Sequence, residues 1–174
     1  MNHDDHVSLL RDGIPAPGGV WADFGSGSGA FTLALADLVG AGADITSVDR
    51  DSGALARQAQ AMRARFPGLS ARYLVADFTQ PLDLPPLDGI VIANALHFVR
   101  DKAPVIARLR GYLADGGRLI LVEYDTDRGN QWVPYPLAFP TWQALSTQHG
   151  FARTTRLATR PSRFLGRIYS ALSV

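Results

Sequence analysis

From residue 20 onward the chain alternates short apolar runs, rich in β-branched residues, with longer stretches whose apolar positions recur at helical spacing. That is the pattern of βαβ units around a parallel sheet. Residues 20–24 predict the first strand, and a dense helical pattern at 28–39 (Phe31, Leu33, Leu35, Ala36, Leu38, Val39) runs to the stop at Gly40-Ala41-Gly42. Residues 45–48 predict the second strand, and Asp51 or Ser52 caps a helix that ends near Phe66, before Pro67-Gly68. The third strand is expected at 72–76, a proline-rich loop at 81–86, and the fourth strand at 89–93. That fourth strand is apolar on both faces, as an inner strand between two helix layers must be. Asp101 is placed to cap a helix with the stripe Val105, Ile106, Leu109, Tyr112 and Leu113, which stops at Asp115-Gly116-Gly117. Residues 119–122 predict the fifth strand.

A loop containing Pro134, Pro136 and Pro140 then leads to a short helix at 141–149 that Gly150 ends. Residues 151–157 and 167–172 read as two strands with no helix between them, joined by a turn at Thr159-Arg160-Pro161-Ser162-Arg163. A parallel pair needs a crossover of about a dozen residues, so these two must form an antiparallel hairpin. The expectation is one α/β domain, residues 19–174, with a seven-stranded, mostly parallel sheet. Residues 1–18 are polar or turn-forming and end in Ile14-Pro15-Ala16-Pro17-Gly18-Gly19, which predicts a short arm or a single helical turn.

A length of 174 residues with 47% hydrophobic and 19% charged side chains suits one packed core. The formal net charge of +1 gives no reason to expect a nucleic-acid or membrane partner. No cysteine is present, which excludes thiolate metal sites, iron–sulfur clusters and a cysteine nucleophile, and is compatible with the cytosol. Acidic Asp4 and Asp5 near the N-terminus do not read as a signal peptide, and no apolar run approaches the ~18 to 20 residues of a membrane span. A cytoplasmic location is therefore expected. The charge is uneven: the first 127 residues carry 11 basic and 16 acidic side chains, whereas the last 47 carry six arginines and no acid.

The strongest local signal is Val20-Trp21-Ala22-Asp23-Phe24-Gly25-Ser26-Gly27-Ser28-Gly29, a strand running into a glycine-rich turn that opens a helix. Such a turn exposes main-chain N–H groups to a ligand at a helix N-terminus. A dinucleotide fingerprint needs a third glycine at position 30, where this chain has Ala30; the alanine variant of that fingerprint keeps a nicotinamide cofactor as an alternative. Asp49, 20 residues beyond Gly29, ends the second strand, where a carboxylate can accept from both ribose hydroxyls of an adenosine group or, more simply, cap the next helix. Asp77-Phe78 follows the third strand, where the acid could meet an adenine amino group and the ring could cover the base. All three features fall at carboxyl ends of successive strands, the place where open α/β sheets bind ligands.

In these residues the chain resembles the class I S-adenosylmethionine-dependent methyltransferases, from about residue 20 to 172. Asp23-Phe24-Gly25-Ser26-Gly27-Ser28-Gly29 is similar to the family's first motif, Asp49 to its ribose-binding acid, and Asp77-Phe78 to its adenine-contacting pair. Residues 88–97 (DGIVIANALH) resemble the fourth-strand motif, and Leu113-Ala114-Asp115-Gly116-Gly117-Arg118-Leu119 resembles the turn before the fifth strand, with Asp115 where proline is commoner. The resemblance implies a Rossmann-like sheet with helices on both faces and a terminal antiparallel pair, S-adenosylmethionine as cofactor, and Asp23, Gly25, Ser26, Gly27, Gly29, Asp49, Arg50, Asp77, Phe78 and Asn94 at the cofactor. Family members that act on small molecules often carry N-terminal helices over the substrate; here about 18 residues precede the first strand.

Methyl transfer from a sulfonium is an in-line displacement that mainly requires positioning. A base is needed only where the nucleophile must lose a proton. His97 suits that role chemically, with Asn94 beside it, and the competing reading is a histidine that merely packs in its turn. Glu123, the only glutamate, either bonds loop amides or orients a substrate amine. Ala93-Asn94-Ala95-Leu96 stands where base N-methylating enzymes carry Asn-Pro-Pro-Tyr, and only Asp125 and Asp127 stand near a possible metal cluster, so no metal is expected. The segment 132–139 (WVPYPLAF) reads either as a stiff apolar lip or as a packed connector. The expectation is methyl transfer to a small or medium-sized acceptor; the alternatives are a nicotinamide-dependent oxidoreductase and a binding module without activity. Arg160 and Arg163 leave an anionic acceptor open, and a homodimer is compatible with the sequence.

Overall fold

The inner strands are apolar on both faces, and their side chains alternate between two separate cores, one on each side of a single sheet. The computed structural model describes residues 1–174. Its strands are β1 (Gly19–Phe24), β2 (Ala43–Asp49), β3 (Ser70–Val75), β4 (Leu87–Ala93), β5 (Leu113–Tyr124), β6 (Thr154–Ser162) and β7 (Gly166–Ser173). The helices are α1 (His3–Leu10), α2 (Ala30–Val39), α3 (Ser52–Arg65), α4 (Ala103–Tyr112) and α5 (Phe139–Gln148). The sheet order is β3-β2-β1-β4-β5-β7-β6, with β1 to β5 parallel and β7 antiparallel to both neighbours.

Ile90 and Ile92 of β4 join Leu119 and Leu121 of β5 in the core that α4 and α5 cover, together with Leu109, Trp142 and Tyr169. The intervening Val91, Ile120 and Val122 face the other core, closed by Leu35 of α2, Met62 of α3 and Leu9 and Leu10 of α1. This two-sided alternation, with period 2, fixes which face each strand residue takes.

Three expectations change. The N-terminal segment is neither an arm nor a single turn: α1 has eight residues, and Leu9 and Leu10 are fully buried. Its start is fixed by a capping box in which Asn2 Oδ1 accepts from Asp5 N–H at 2.9 Å and Asp5 Oδ2 accepts from Asn2 N–H at 3.0 Å. Second, α4 ends at Tyr112 and the Asp115-Gly116-Gly117 segment belongs to a long β5, whose register against β4 shifts between Leu87 and Gly89. Third, β6 runs on through Pro161 to Ser162, so the hairpin turn is residues 163–165. Pro161 is tolerated because β6 is the edge strand. Phe151, expected to begin β6, is instead buried in the core ahead of it.

The antiparallel pairing of β5 with β7 places Ile168 beside Tyr124, so the β6–β7 turn lies at the carboxyl end of β5. Truncating Leu10 to alanine should cost about 2–5 kcal/mol of stability, because it opens a cavity in a closed core. Urea unfolding checks this; a loss under about 1 kcal/mol would show α1 to be dispensable to the core.

Candidate active site

The chain begins the sheet at β1, builds outward to β3 and returns to β4 on the other side of β1. The helices that follow β1 and β4 therefore pack on opposite faces of the sheet, leaving a crevice at the carboxyl ends of the two strands. A cleft of about 200 Å³ opens there, with Gly25 from the first loop, Asp49 and Arg50 from the end of β2, and Phe78 from beyond β3. Asn94, Ala95 and Phe98 supply the wall after β4.

Gly25 and Ser26 both donate their N–H to Val48 O, at 2.8 and 3.1 Å, which holds the glycine loop against β2. Gly25 has a φ of 71°, and a Cβ there would stand 2.5 Å from Ala95 Cβ. Only glycine lets these two loops meet. Gly29, with φ of 92°, caps α2, and a Cβ on it would meet the Gln58 side chain at 2.4 Å.

Asp49 accepts from Gly27 N–H at 2.8 Å through Oδ2 and from Asp51 N–H at 2.9 Å through Oδ1. Each oxygen retains a free lone pair, so the carboxylate is oriented without being used up. The helix cap is Asp51, which accepts from Gly53 and Ala54 N–H at 2.8 and 3.0 Å. Asp49 is thereby left to face the cleft. Asp77 is not part of the cleft lining: its Oδ1 accepts from Thr79 N–H and Oγ1 at 2.9 and 2.7 Å, and its Oδ2 lies 3.7 Å from Arg50. Burial alone would raise its carboxyl, but the two Thr79 bonds and Arg50 hold it below the usual range.

Two other anticipated residues, Ser26 and Asp23, lie under the loop. Ser26 donates to Gln58 Oε1 at 3.1 Å, and Gln58 Nε2 donates to Ser47 Oγ at 2.6 Å, all three being buried. Asp23, 1% exposed, accepts from the Thr32 hydroxyl at the start of α2. Burial pushes the Asp23 carboxyl up to about 7, opposed by the Thr32 bond and helped by Asp49. Gln58 and Thr32 were not anticipated. A polar residue inside the Ala54, Leu55, Ala59, Met62 stripe of α3 was the one available sign of Gln58. Asn94 adopts φ of 51°, and its Oδ1 is buried without a partner.

Beyond the cleft, His97 Nδ1 lies 3.0 Å from both oxygens of Glu123, and the two side chains are almost wholly buried. Glu123 Oε1 also accepts from Tyr124 N–H at 2.7 Å. The carboxylate thus fixes Nδ1–H and leaves Nε2 as the acceptor. Nε2 makes no hydrogen bond within the protein. His97 itself does not line the cleft; its ring lies tilted against Phe98, 4.3 Å between centroids, and Phe98 does line it.

The 132–139 segment packs as a connector through Val133 and Leu137, which are buried, while Trp132 and Tyr135 are exposed. Arg160 is committed to α1, bonding Ser8 Oγ at 2.6 Å and standing 3.5 Å from Asp5. Arg163 stands near it at the hairpin tip.

A parallel sheet that switches direction at β1 and β4, closed by an antiparallel pair, with a glycine loop and a terminal acid on β2, defines the class I S-adenosylmethionine-dependent methyltransferase fold. The family model for the methyltransferase domain matches residues 22–119, and the chain belongs to that family. Uncharacterized methyltransferases of Mycobacterium bovis and Mycobacterium tuberculosis are 32% identical over 127 residues, 72% of this chain. The chain spans 61% of their length. The fold is shared with the YcgJ protein of Bacillus subtilis (TM-score 0.80, 12% identity, 98% of each chain). It is also shared with phosphoethanolamine N-methyltransferase 2 of Haemonchus contortus, solved with phosphomonomethylethanolamine and S-adenosylhomocysteine (TM-score 0.79, 14% identity, 98% of this chain and 52% of that one). No helix is long and apolar enough to cross a membrane.

Because Asp23 is raised from 3.8 to about 7, the folded chain keeps a proton between those values that the unfolded chain has lost. Stability therefore falls as pH rises through that window and levels off above it. Asp23→Asn preserves an acceptor for Thr32 and removes this slope, so from pH 5 to 7.5 the variant should gain on the wild type by on the order of 2 kcal/mol in urea unfolding. Parallel stability curves would sink the assignment.

Proposed function

We propose that the chain catalyses S-adenosylmethionine-dependent methyl transfer to a small or medium-sized acceptor. The reading rests on one observation: Asp49, oriented by two N–H donors and not needed as a helix cap, faces a cleft that it lines together with Gly25, where a Cβ would stand 2.5 Å from Ala95 Cβ. The residues present suit the cofactor. Asp49 accepts from the ribose hydroxyls, the Phe78 ring covers the adenine, and Gly25 allows close approach to the backbone. Asn94 brings an acceptor that has no partner inside the protein, ready for a donor on the bound molecule. S-adenosylmethionine supplies an electrophilic methyl group when bound.

The chain's own part is to hold the acceptor in line and to remove its proton where it has one to lose. His97 Nε2 takes that proton. Glu123, bonded to Nδ1, keeps the ring in the tautomer that can accept and stabilises the imidazolium that results. Asn94, one turn away on the cleft wall, positions the reacting end.

Titration calorimetry with S-adenosylhomocysteine and NAD side by side should show binding of the first alone. Asp49→Ala loses two charge-assisted bonds and should weaken S-adenosylhomocysteine tenfold or more; unchanged affinity would falsify the ribose role. His97→Ala should lower transfer of a labelled methyl group to a panel of alcohols, phenols and amines about 10²-fold while leaving cofactor affinity nearly intact. Full turnover combined with a lower melting temperature would instead make this histidine structural.

A further inference from the structure

Of the six large hydrophobic side chains that the surface exposes, Phe98, Trp132, Tyr135 and Phe164 gather at the carboxyl ends of β4 and β5. They come from three separate segments: the turn after β4, the loop after β5 and the β6–β7 turn. The rings of three of them, Phe98, Phe164 and Trp132, are linked in a series through those of His97 and Tyr124. Phe98, on the cofactor cleft, lies tilted against His97 with ring centroids 4.3 Å apart; His97 lies 6.0 Å from Tyr124, Tyr124 6.0 Å from Phe164, and Phe164 5.9 Å from Trp132, edge to face.

The loop that carries Trp132 is held firmly. Asn130 Oδ1 accepts from Trp132 and Val133 N–H, both at 2.9 Å, and Asn130 N–H donates to Val133 O at 2.9 Å. Asp127 accepts from Ala138 N–H and from the Thr141 hydroxyl, both at 2.9 Å, and Asp125 accepts from Phe139 N–H at 3.0 Å. Tyr135 N–H donates to His97 O at 3.0 Å, fastening this loop to the turn that bears the histidine. Exposing an indole on so restrained a loop, 62% open to solvent, costs hydration free energy that an occupant would recover.

We propose that the methyl acceptor is a planar aromatic molecule that lies along Phe98, Tyr124, Phe164 and Trp132 with its reacting group toward His97 Nε2. The proposal rests on the methyl-transfer reading above and names its substrate class. Rings rather than aliphatic chains line the track, and offset or edge-on contact with a flat ligand adds attraction beyond buried area. The track starts on the cofactor cleft itself, through Phe98, so its occupant reaches the donor.

The test is calorimetric titration of 2-naphthol and of decahydro-2-naphthol, its saturated and non-planar counterpart, with and without saturating S-adenosylhomocysteine. 2-Naphthol should bind at least tenfold more tightly than the saturated alcohol. Trp132→Ala and Phe164→Ala should each weaken it about three- to tenfold. Phe164→Leu should weaken it nearly as much as the alanine variant, since leucine restores apolar area without a ring. Equal affinity for the two alcohols, no binding of 2-naphthol, or indifference to both alanine substitutions overturns the proposal. So does a wild-type dimer that Trp132→Ala turns into a monomer on size exclusion, because the track is then an interface. S-adenosylhomocysteine affinity in the same samples stands apart: its absence defeats the cofactor reading, whereas its presence without 2-naphthol binding defeats only the aromatic acceptor.

Discussion

The contact between Gly25 and Ala95 is the constraint on which the rest of the site depends. It joins the loops after the two strands that lie side by side at the point where the sheet changes direction, and any side chain at position 25 would stand within 2.5 Å of a carbon already there. With that contact made, Gly25 and Ser26 lie against Val48 O, and Gly27 N–H meets Asp49. Asp49 is then aimed into the cleft and Asn94 is left on its far wall. A shift of a few tenths of an ångström here would move the loop and the carboxylate together.

Beneath the loop, burial is matched by hydrogen bonding almost throughout. Ser26, Gln58 and Ser47 satisfy one another, and Asp23 is held by Thr32. The His97–Glu123 pair is likewise enclosed, with the carboxylate also bonded by the Tyr124 amide. Buried polar groups left unpaired are costly, so such networks define one arrangement of the backbone above them. Against this background the unpartnered Asn94 Oδ1 stands out, since it is the one such orphan that belongs to a cleft residue.

The C-terminal hairpin serves the site through its direction. Because β7 runs antiparallel to β5, the turn before β7 arrives at the same end of the sheet as the cleft. It brings Phe164 to within ring contact of Tyr124 and Trp132. The arginines of β6 meanwhile work as fasteners: Arg156 pairs with Asp125 at 3.5 Å and covers the Phe139 ring, and Arg160 clasps α1. The acidic first part of the chain and the basic last part are thus joined by these contacts at the surface.

The sequence alone determined the order of the strands and helices after residue 20, the antiparallel character of the last pair, and the glycine loop with its partner acid. These are local properties, since hydrophobic period, glycine and proline positions and the length available for a crossover can all be read along the chain. It did not show α1, whose eight residues carry too few apolar positions to stand out; Leu9 and Leu10 matter because α2 and the sheet cover them. Nor did it show that β6 would run through Pro161, which depends on the strand being at an edge. Only the tertiary structure sorted the motif residues into those that line the cleft (Gly25, Asp49, Arg50, Phe78, Asn94) and those that support it from below (Asp23, Ser26). It alone paired His97 with Glu123, 26 residues away, and set Trp132 beside Phe164. The physical reason is the same in each case: a side chain's type and spacing are carried by the chain, but its partners are chosen by which strands the sheet makes neighbours.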